Sequence, residues 1–260
     1  MNTKASEREI VIVSGGLGLI GHAIVKKLLE NGQTVLVIDS RESTLNSNEF
    51  FYKKSPDIWD IDSIYKLAEE IETEYGNVTG LINCMATRTQ NSNNFFSSLE
   101  NSNLETWDEV LKGNLTNTFL LCREIGLRMV SRRFGSIVNF GSIYGPDMGA
   151  DQRIYLDSNS QLSPMNTPAA YSISKGGVVA LTKHLATLWA SSGVRVNCVS
   201  PGGVLNNQGK TFIDAYSNRI PMGRMAEVFE IIGLPIFLIG AESTYITGQN
   251  FYIDGGLSSW

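Results

Sequence analysis

Short apolar runs alternate along this chain with longer segments whose apolar residues recur at helical spacing. The runs are rich in β-branched residues and are bounded by Gly, Asn, Asp or Ser, which predicts buried parallel strands. They lie at 10–13, 35–38, 80–82, 136–140 and 194–199. The segments with helical spacing lie at 21–30, 61–74, 106–132 and 171–191. This alternation predicts right-handed βαβ units, and therefore an α/β fold with a doubly wound parallel sheet in a single domain over residues 1–260.

Three stretches break this rhythm. Residues 145–168 contain prolines and several aspartates without periodicity, so we predict a long loop inserted into the domain. A loop of this length in a compact domain is usually either functional or disordered. Residues 87–103 are rich in Asn and Ser and predict a surface loop. Residues 203–219 carry enough apolar side chains to predict a short helix in a lid-like segment.

The amino-acid composition argues against some classes of binding partner. The 260 residues are 42% hydrophobic, which suits one large domain. The net charge of -5 and the pI near 5.2 indicate no basic surface for nucleic acid or an anionic membrane. Residues 1–9 are too polar for a signal peptide, and the apolar run at 231–239 is too short to span a membrane. We therefore expect a cytoplasmic protein with no nucleic-acid or membrane partner.

The cysteines predict neither disulfides nor a metal site. Cys84, Cys122 and Cys198 are odd in number and far apart in the sequence. This pattern fits reduced, buried thiols better than a disulfide framework or a set of metal ligands. We expect no bound metal.

A glycine-rich turn follows the first predicted strand directly. Glycine suits such a turn because a Cβ would obstruct its backbone angles and the approach of a pyrophosphate to main-chain N–H groups at a helix N-terminus. The strand before the turn and the helix after it strengthen the match to the dinucleotide-binding motif of a Rossmann fold. The residues of this turn predicted to bind the cofactor are Ser14, Gly15, Gly18, Leu19, Ile20 and Gly21.

A carboxylate at the end of the second predicted strand indicates which dinucleotide binds. Asp39 can accept hydrogen bonds from the adenosine ribose hydroxyls and would repel a 2′-phosphate. NAD is therefore favoured over NADP. Arg41 argues the other way, since a guanidinium can bind that phosphate, but the glycine turn offers no second basic residue to assist it.

Tyr171 and Lys175 lie four residues apart at the start of a helical segment, so their side chains share one face. A phenol is a poor base at neutral pH, and a nearby ammonium favours the phenolate. Tyr171 could then take a proton from a hydroxyl or give one to a carbonyl.

Ser142 follows a predicted strand, where active residues gather at the carboxyl ends of a parallel sheet, and could hydrogen-bond the substrate oxygen. Asn114 lies in a helical segment, and Asn83 ends a predicted strand.

With these residues the chain resembles a short-chain dehydrogenase/reductase over nearly its whole length. The matching pieces are the glycine turn, the pair Asp57 and Ile58, a degenerate Asn-Asn-Ala-Gly at 83–86, Asn114, Ser142, Tyr171, Lys175, Pro201, Gly202, and the C-terminal runs 245–249 and 253–256. Two features depart from the pattern. The glycine spacing Gly-x-x-Gly-x-x-Gly is typical of the extended, sugar-nucleotide-modifying branch, and the insertion separates Ser142 from Tyr171 more than the short branch usually allows.

The resemblance implies a role for each residue of a catalytic tetrad. Tyr171 is the acid/base, Lys175 lowers its pKa and binds the nicotinamide ribose, Ser142 orients the carbonyl, and Asn114 holds a water for proton relay. The further cofactor contacts that it implies are Asp57, Ile58, Asn83, Pro201 and Gly202. It also implies a homodimer or homotetramer formed through the helices at 106–132 and 171–191.

The insertion at 145–168 is the predicted determinant of the substrate. It joins Ser142 to Tyr171, so both its ends are anchored beside the proposed chemistry. Its polar residues suit a hydroxylated substrate because each buried hydroxyl needs a partner, and the predicted substrate contacts are Tyr144 and Arg153. The combination resembles oxidoreductases of bacterial surface-sugar pathways, and an acidic loop is a poor dock for an acidic acyl carrier. A role in subunit packing is the alternative.

These features predict an oxidoreductase that transfers a hydride between NAD(H) and the alcohol or ketone of a small polar substrate, such as a sugar derivative. The glycine spacing keeps a second enzyme class open, an NAD-dependent dehydratase or epimerase acting on a sugar or nucleotide sugar. A non-catalytic nucleotide-binding protein is the alternative of another class, and the intact tetrad argues against it.

Overall fold

In the computed structural model, the described residues are 8–42, 51–56, 60–87, 92–155 and 165–260. Within them, seven strands form one parallel sheet in the order β3-β2-β1-β4-β5-β6-β7. The strands are β1 (Glu9–Ser14), β2 (Thr34–Ile38), β3 (Phe51–Lys54), β4 (Asn77–Asn83), β5 (Gly135–Phe140), β6 (Val194–Pro201) and β7 (Asn250–Ile253). The order reverses between β1 and β4, which confirms the predicted doubly wound sheet and places a binding crevice at the carboxyl ends of these strands.

Helices connect the strands and cover the sheet. They are α1 (Leu19–Glu30), α2 (Ile61–Glu74), α3 (Ser92–Phe95), α4 (Leu104–Leu111), α5 (Asn117–Arg132), α6 (Ala169–Trp189), α7 (Lys210–Ser217) and α8 (Val228–Ile239). None of the helices in the described ranges is both long enough and apolar enough to cross a membrane.

Both faces of the sheet are buried. Ile10 and Ile12 of β1 pack on one face with apolar residues of α2, α5 and α6. Val11 and Val13 pack on the opposite face with residues of α1 and α8. Successive side chains of a strand point to opposite faces, so a strand covered on both sides has no solvent-facing position. The continuous apolar runs in the sequence follow from this burial.

The sequence pattern missed the two edge strands. β3 and β7 each have four residues, and seven of their eight side chains are only half-buried, so neither forms an apolar run. Two further boundaries differ from the pattern. The helix predicted at 106–132 is divided by a π-helical turn, Lys112–Thr116, and α6 begins at Ala169, which places Tyr171 in its first turn.

The irregular stretches contain more structure than their composition indicates. The predicted surface loop at 87–103 contains the short helix α3, whose Phe95 is buried, while residues 94 and 96–103 are half-buried or exposed as expected of a surface segment. The short helix predicted within 203–219 is α7. The two described ends of the insertion meet where the backbone N–H of Thr167 donates to Oε1 of Gln152 at 2.7 Å and the hydroxyls of Tyr155 and Thr167 lie 2.9 Å apart.

Gly21→Ala tests the contact between the glycine turn and α1. A Cβ at Gly21 would clash with the carbonyl oxygen of Gly15, which is backbone and cannot swing away. We expect the free energy of unfolding to fall by about 1–3 kcal/mol, the usual cost of overpacking, as measured by urea unfolding. Gly233→Ala is the matched control. Gly233 lies in α8, and a Cβ added there would meet open space, so alanine should stabilise the helix by up to about 1 kcal/mol. Unchanged stability in Gly21→Ala would contradict the account.

Candidate active site

The glycine turn brings β1, the end of β4 and α1 together. Gly15 has a φ of +68°, and a Cβ there would lie 2.9 Å from the backbone nitrogen of Met85. Gly18 is the N-cap residue of α1 and carries no side-chain cap, and Leu19 and Ile20 begin the helix. The positive end of the α1 dipole and its first N–H groups therefore face this edge of the sheet. The arrangement fits the pyrophosphate of a dinucleotide.

Asp39 lies at the end of β2, as predicted, but it is covered. Its Oδ2 accepts from the backbone N–H of Leu17 at 2.9 Å, and its Oδ1 accepts from the backbone N–H of Arg41 at 3.0 Å. The Arg41 guanidinium donates to both oxygens, at 2.9 and 2.7 Å. Burial alone would raise the pKa of Asp39, but the hydrogen bonds from Arg41 and Leu17 outweigh it and hold the pKa below its ordinary value.

This pairing changes the expectation of an open carboxylate for the ribose. The Asp39 side chain is 4% exposed, whereas that of Arg41 is 56% exposed. A Cβ at Gly18 would lie 3.2 Å from Nη2 of Arg41, so the guanidinium extends over the glycine turn. Arg41 thus stands between Asp39 and solvent at the place where the adenosine ribose is expected.

Ser14 and Asn83 were both predicted to bind the cofactor, but their side chains form hydrogen bonds inside the sheet. The Ser14 hydroxyl donates to Oδ1 of Asn83 at 3.0 Å, and Nδ2 of Asn83 donates to Oδ1 of Asn139 at 2.8 Å. Nδ2 of Asn139 donates to the Thr182 hydroxyl at 3.0 Å. This buried chain links β1, β4, β5 and α6. The contribution of these two side chains is to position the backbone of the crevice.

Lys175 fixes α6 against the carboxyl end of β5. The side chain is buried, and Nζ donates to the carbonyl oxygen of Phe140 at 2.8 Å. Burial lowers the pKa of Lys175 to about 8, while the nearby thiols of Cys198 and Cys84 act weakly in the opposite direction. The ammonium is therefore still protonated at neutral pH.

The loop after β5 carries Ser142 to the first turn of α6. Gly145, with a φ of +125°, packs its backbone against the carbonyl of Ser172, so a Cβ at Gly145 would clash there. The backbone N–H of Ile143 donates to the carbonyl of Pro201 at 3.4 Å. The Ser142 hydroxyl is buried and accepts from the backbone N–H of Tyr144 at 3.2 Å.

The end of β6 is held beside this loop. The backbone N–H of Gly202 donates to the carbonyl of Ile253 at 2.9 Å, and a Cβ at Gly202 would lie 3.0 Å from Cα of Asp254. Pro201 and Gly202 therefore flank the segment that holds Ser142, and their predicted contact with the cofactor stays a prediction. The structure brings Ser142, Lys175 and the first turn of α6 to one edge of the sheet.

Asn114 joins two segments at the carboxyl edge of the sheet by hydrogen bonds. It lies in the π-helical turn, and its Oδ1 accepts from the backbone N–H of Thr87 at 2.7 Å. Its Nδ2 donates to the Ser174 hydroxyl at 3.1 Å, and Ser174 donates to the carbonyl of Tyr171 at 2.7 Å. These contacts give the Asn114 side chain a positioning role. The water relay implied for this residue stays a prediction.

Aromatic side chains surround Tyr171. The ring of Phe95 in α3 meets that of Tyr171 edge-on, with centroids 6.4 Å apart. Tyr171 also packs against a cluster that contains Tyr144 and Tyr216, whose hydroxyls hydrogen-bond each other. Burial raises the pKa of Tyr144 to about 12 and also raises that of Tyr216, so both phenols stay protonated. Tyr144, a predicted substrate contact, thus lies close to the predicted acid/base.

The acidic character predicted for the insertion is smaller than its sequence indicates. Asp151 forms ion pairs with both Arg153 and Arg219. The argument that this loop repels an acidic carrier protein is weakened at Asp151, whose charge these two arginines compensate. Asp157, one of the aspartates of the insertion, lies outside the described residues, as do Asp57 and Ile58. The predicted cofactor contacts of Asp57 and Ile58 stay predictions.

The sequence pattern missed several residues that complete the site. Ser174 adjoins Lys175, but no motif distinguishes it from any other helical serine. Thr87 approaches Gly113 so closely that a Cβ there would clash, which only the fold reveals. Tyr216 counted as an apolar residue of the lid, and Arg219 joins the insertion from a distant part of the chain.

Comparison with known proteins identifies the family of the chain. A family model described as enoyl-(acyl carrier protein) reductase matches residues 18–258. The chain belongs to the short-chain dehydrogenase/reductase family. It is 29% identical to a 3-oxoacyl-(acyl-carrier-protein) reductase of Buchnera aphidicola, over 96% of this chain and 98% of the relative. It is also 29% identical to a D-threitol dehydrogenase of Mycolicibacterium smegmatis, over 95% of this chain and 92% of the relative.

A solved structure extends the comparison. A short-chain dehydrogenase from Leptospira borgpetersenii with bound NAD+ is 33% identical and has a TM-score of 0.85, covering 98% of this chain and 95% of that one. The relatives are named as reductases and dehydrogenases, and this protein is an NAD(P)-dependent oxidoreductase acting on CH–OH groups. The relatives' names span acyl thioesters and a polyol, so they leave the substrate open.

Lys175→Met tests the burial of the ammonium. Between about pH 8 and its ordinary pKa of 10.5, the folded chain releases the Lys175 proton while the unfolded chain keeps it. The free energy of unfolding should therefore rise with pH in the wild type relative to the variant, by at most about 1.4 kcal/mol per pH unit. Urea unfolding of both proteins across this range measures the difference.

Lys183→Met, on the exposed side of the same helix, is the control for loss of a lysine charge. A stability difference between wild type and Lys175→Met that stays constant with pH would show that Lys175 is not desolvated as described.

Proposed function

We propose that this oxidoreductase transfers a hydride between NAD(H) and a secondary alcohol or ketone of a small polar substrate, with Tyr171 as the acid/base. The observation that carries the proposal is the convergence of Ser142, Lys175 and the first turn of α6 at the carboxyl edge of β5, beside the uncapped N-terminus of α1. Bound nicotinamide supplies or accepts the hydride.

The chain's own residues manage the proton. In the reducing direction, Tyr171 donates its phenolic proton to the carbonyl oxygen as the hydride reaches the carbon, which yields the alcohol and a phenolate. The ammonium of Lys175, in the next turn of α6, stabilises that phenolate electrostatically. Ser142 donates its hydroxyl hydrogen to the substrate oxygen and holds it in place. In the oxidising direction the same groups act in reverse.

The preference for NAD is supported by Asp39 and by the NAD+ bound in the structure from Leptospira borgpetersenii. A carboxylate whose pKa is held low stays ionised and opposes a 2′-phosphate. Arg41 weakens this opposition because it neutralises Asp39. The alternative of a dehydratase or epimerase rests on the glycine spacing, and no described contact adds to it.

We also propose a homo-oligomer. Apolar side chains are exposed on the two helices that the resemblance assigns to subunit contacts, and they are Phe119 and Leu127 of α5 and Ile173 and Leu188 of α6. Exposed apolar residues clustered on neighbouring helices commonly mark protein–protein interfaces.

Tyr171→Phe tests the acid/base assignment. The change removes only the hydroxyl, so the ring should still pack against Phe95 and the fold should persist. We expect kcat for ketone reduction to fall at least about 100-fold, with the dissociation constant for NADH little changed. Stopped-flow assays of NADH oxidation and titration calorimetry measure the two quantities. Tyr245→Phe, at a fully exposed phenol, is the control, and full activity in Tyr171→Phe would contradict the assignment.

Arg41→Ala tests the choice of cofactor. Removal of the guanidinium leaves Asp39 ionised and unpaired, so a 2′-phosphate should be repelled more strongly. We expect the ratio of the dissociation constants for NADPH and NADH to rise about tenfold, as measured by titration calorimetry. Asp39→Ala should shift the ratio in the opposite direction. Tighter NADPH binding by Arg41→Ala would contradict the role given to this pair.

A further inference from the structure

A cavity of about 370 Å³ lies between the loop after β5, α7 and the C-terminal residues. Its walls combine aromatic and charged side chains, which are Tyr144, Asp151, Arg153, Tyr216, Arg219 and Trp260. Such a concave site with a few convergent polar groups is the usual form of a small-molecule site.

The cavity adjoins the proposed acid/base. Tyr144 and Tyr216 line it, and both belong to the cluster against which Tyr171 packs. Tyr144 also donates its backbone N–H to the Ser142 hydroxyl at 3.2 Å. Tyr171 and Ser142 do not line the cavity themselves, and the buried tyrosine pair lies between them and it. A substrate whose carbonyl lies at Tyr171 and Ser142 would extend along this pair to enter the cavity.

The charges of the cavity are fixed by one carboxylate. Oδ1 of Asp151 accepts from Nε of Arg153 at 2.8 Å, and its Oδ2 accepts from Nη2 of Arg153 at 2.9 Å. Oδ2 also accepts from Nε of Arg219 at 2.6 Å. The hydrogen bonds from Arg153 are the largest influence and hold the pKa of Asp151 well below its ordinary value. The three groups together carry one net positive charge.

Both guanidiniums keep donors for a ligand. Each guanidinium carries five N–H groups. Within the described residues, side-chain hydrogen bonds of Arg153 use its Nε and Nη2, and those of Arg219 use its Nε and Nη1. Asp151 thus holds two arginines side by side while neutralising only one of them. Planar guanidiniums arranged in this way suit an oxyanion.

We infer that this cavity binds an anionic group, a carboxylate or a phosphate, on the hydroxy or keto substrate, through Arg153 and Arg219. The inference rests on the proposed function and specifies its substrate class. A neutral polyol would leave the net positive charge unpaired. Because the phenols of Tyr144 and Tyr216 hydrogen-bond each other, the pair keeps one hydroxyl hydrogen as a donor on the side of the cavity that faces Tyr171.

Matched ketone pairs test the inference with the NADH-bound enzyme. The pairs are 4-oxopentanoate with its methyl ester, and dihydroxyacetone phosphate with dihydroxyacetone. We expect the wild type to favour the anion of at least one pair by about tenfold in kcat/KM, and the favoured pair distinguishes carboxylate from phosphate. Arg153→Gln should lose about that factor on the anion and clearly less on the neutral partner.

Lys210→Gln is the control, since it removes an exposed positive charge from α7 outside the cavity. Arg219→Lys is a second variant that keeps the charge and loses the fork geometry, and we expect it to weaken use of the anion. No preference for either anion in the wild type, or an equal loss on anion and neutral ketone in Arg153→Gln, would overturn the inference.

A binding measurement separates this inference from the proposed function. In the presence of saturating NAD+, inorganic phosphate should raise the melting temperature of the wild type and have less effect on Arg153→Gln. If phosphate acts in this way while no ketone is reduced, the anion site stands and the proposed reaction fails. If ketones are reduced but phosphate and both anions are ignored, the reaction stands and the anion site fails.

Discussion

The hydrogen bond from Lys175 to the carbonyl of Phe140 is the contact on which the rest of this site depends. It joins the first turns of α6 to the last residue of β5, two residues before Ser142. An ammonium buried in this way is costly, and its pKa falls to about 8 as a result. In the proposed mechanism this charge stabilises the Tyr171 phenolate, and strain or desolvation at functional sites is commonly offset elsewhere in a structure.

Hydrogen bonds among buried amides compensate for the cost of burying the Lys175 ammonium. Asn83 and Asn139 link three strands to α6, and Asn114 ties the segment after β4 to α6 through Ser174. Each side-chain amide can donate and accept hydrogen bonds at the same time. A short chain of amides therefore satisfies its own donors and acceptors without water. The contact from Asn114 through Ser174 reaches the carbonyl of Tyr171 and so holds the first turn of α6. The site is therefore rigid on the side of the sheet and is closed by aromatic side chains on the side of α3 and α7.

Much of this arrangement could be predicted from sequence because it follows local rules. Buried strands form apolar runs, a glycine turn marks the nucleotide crevice, and a Tyr and Lys four residues apart share a helix face. The edge strands β3 and β7 escaped because their side chains are half-buried and form no run. The pairing of Asp151 with Arg219 joins segments 68 residues apart, which no local spacing encodes. Arg41 lies only two residues from Asp39, but its cover on the carboxylate depends on a side-chain conformation that the sequence does not specify.

The two ends of the crevice carry the same kind of ion pair. At each, a carboxylate is held ionised by arginine, Asp39 by Arg41 and Asp151 by Arg153 and Arg219. In the proposed binding mode, cofactor and substrate therefore each contact a guanidinium. Between them stands the proposed proton donor. The most direct test of the account is the pH titration of the Tyr171 phenol, followed by phenolate absorbance as wild type minus Tyr171→Phe with NAD+ bound. We predict a pKa below the ordinary value near 10 that rises in Lys175→Met, whereas a phenol titrating at or above 10 and indifferent to Lys175 would contradict it.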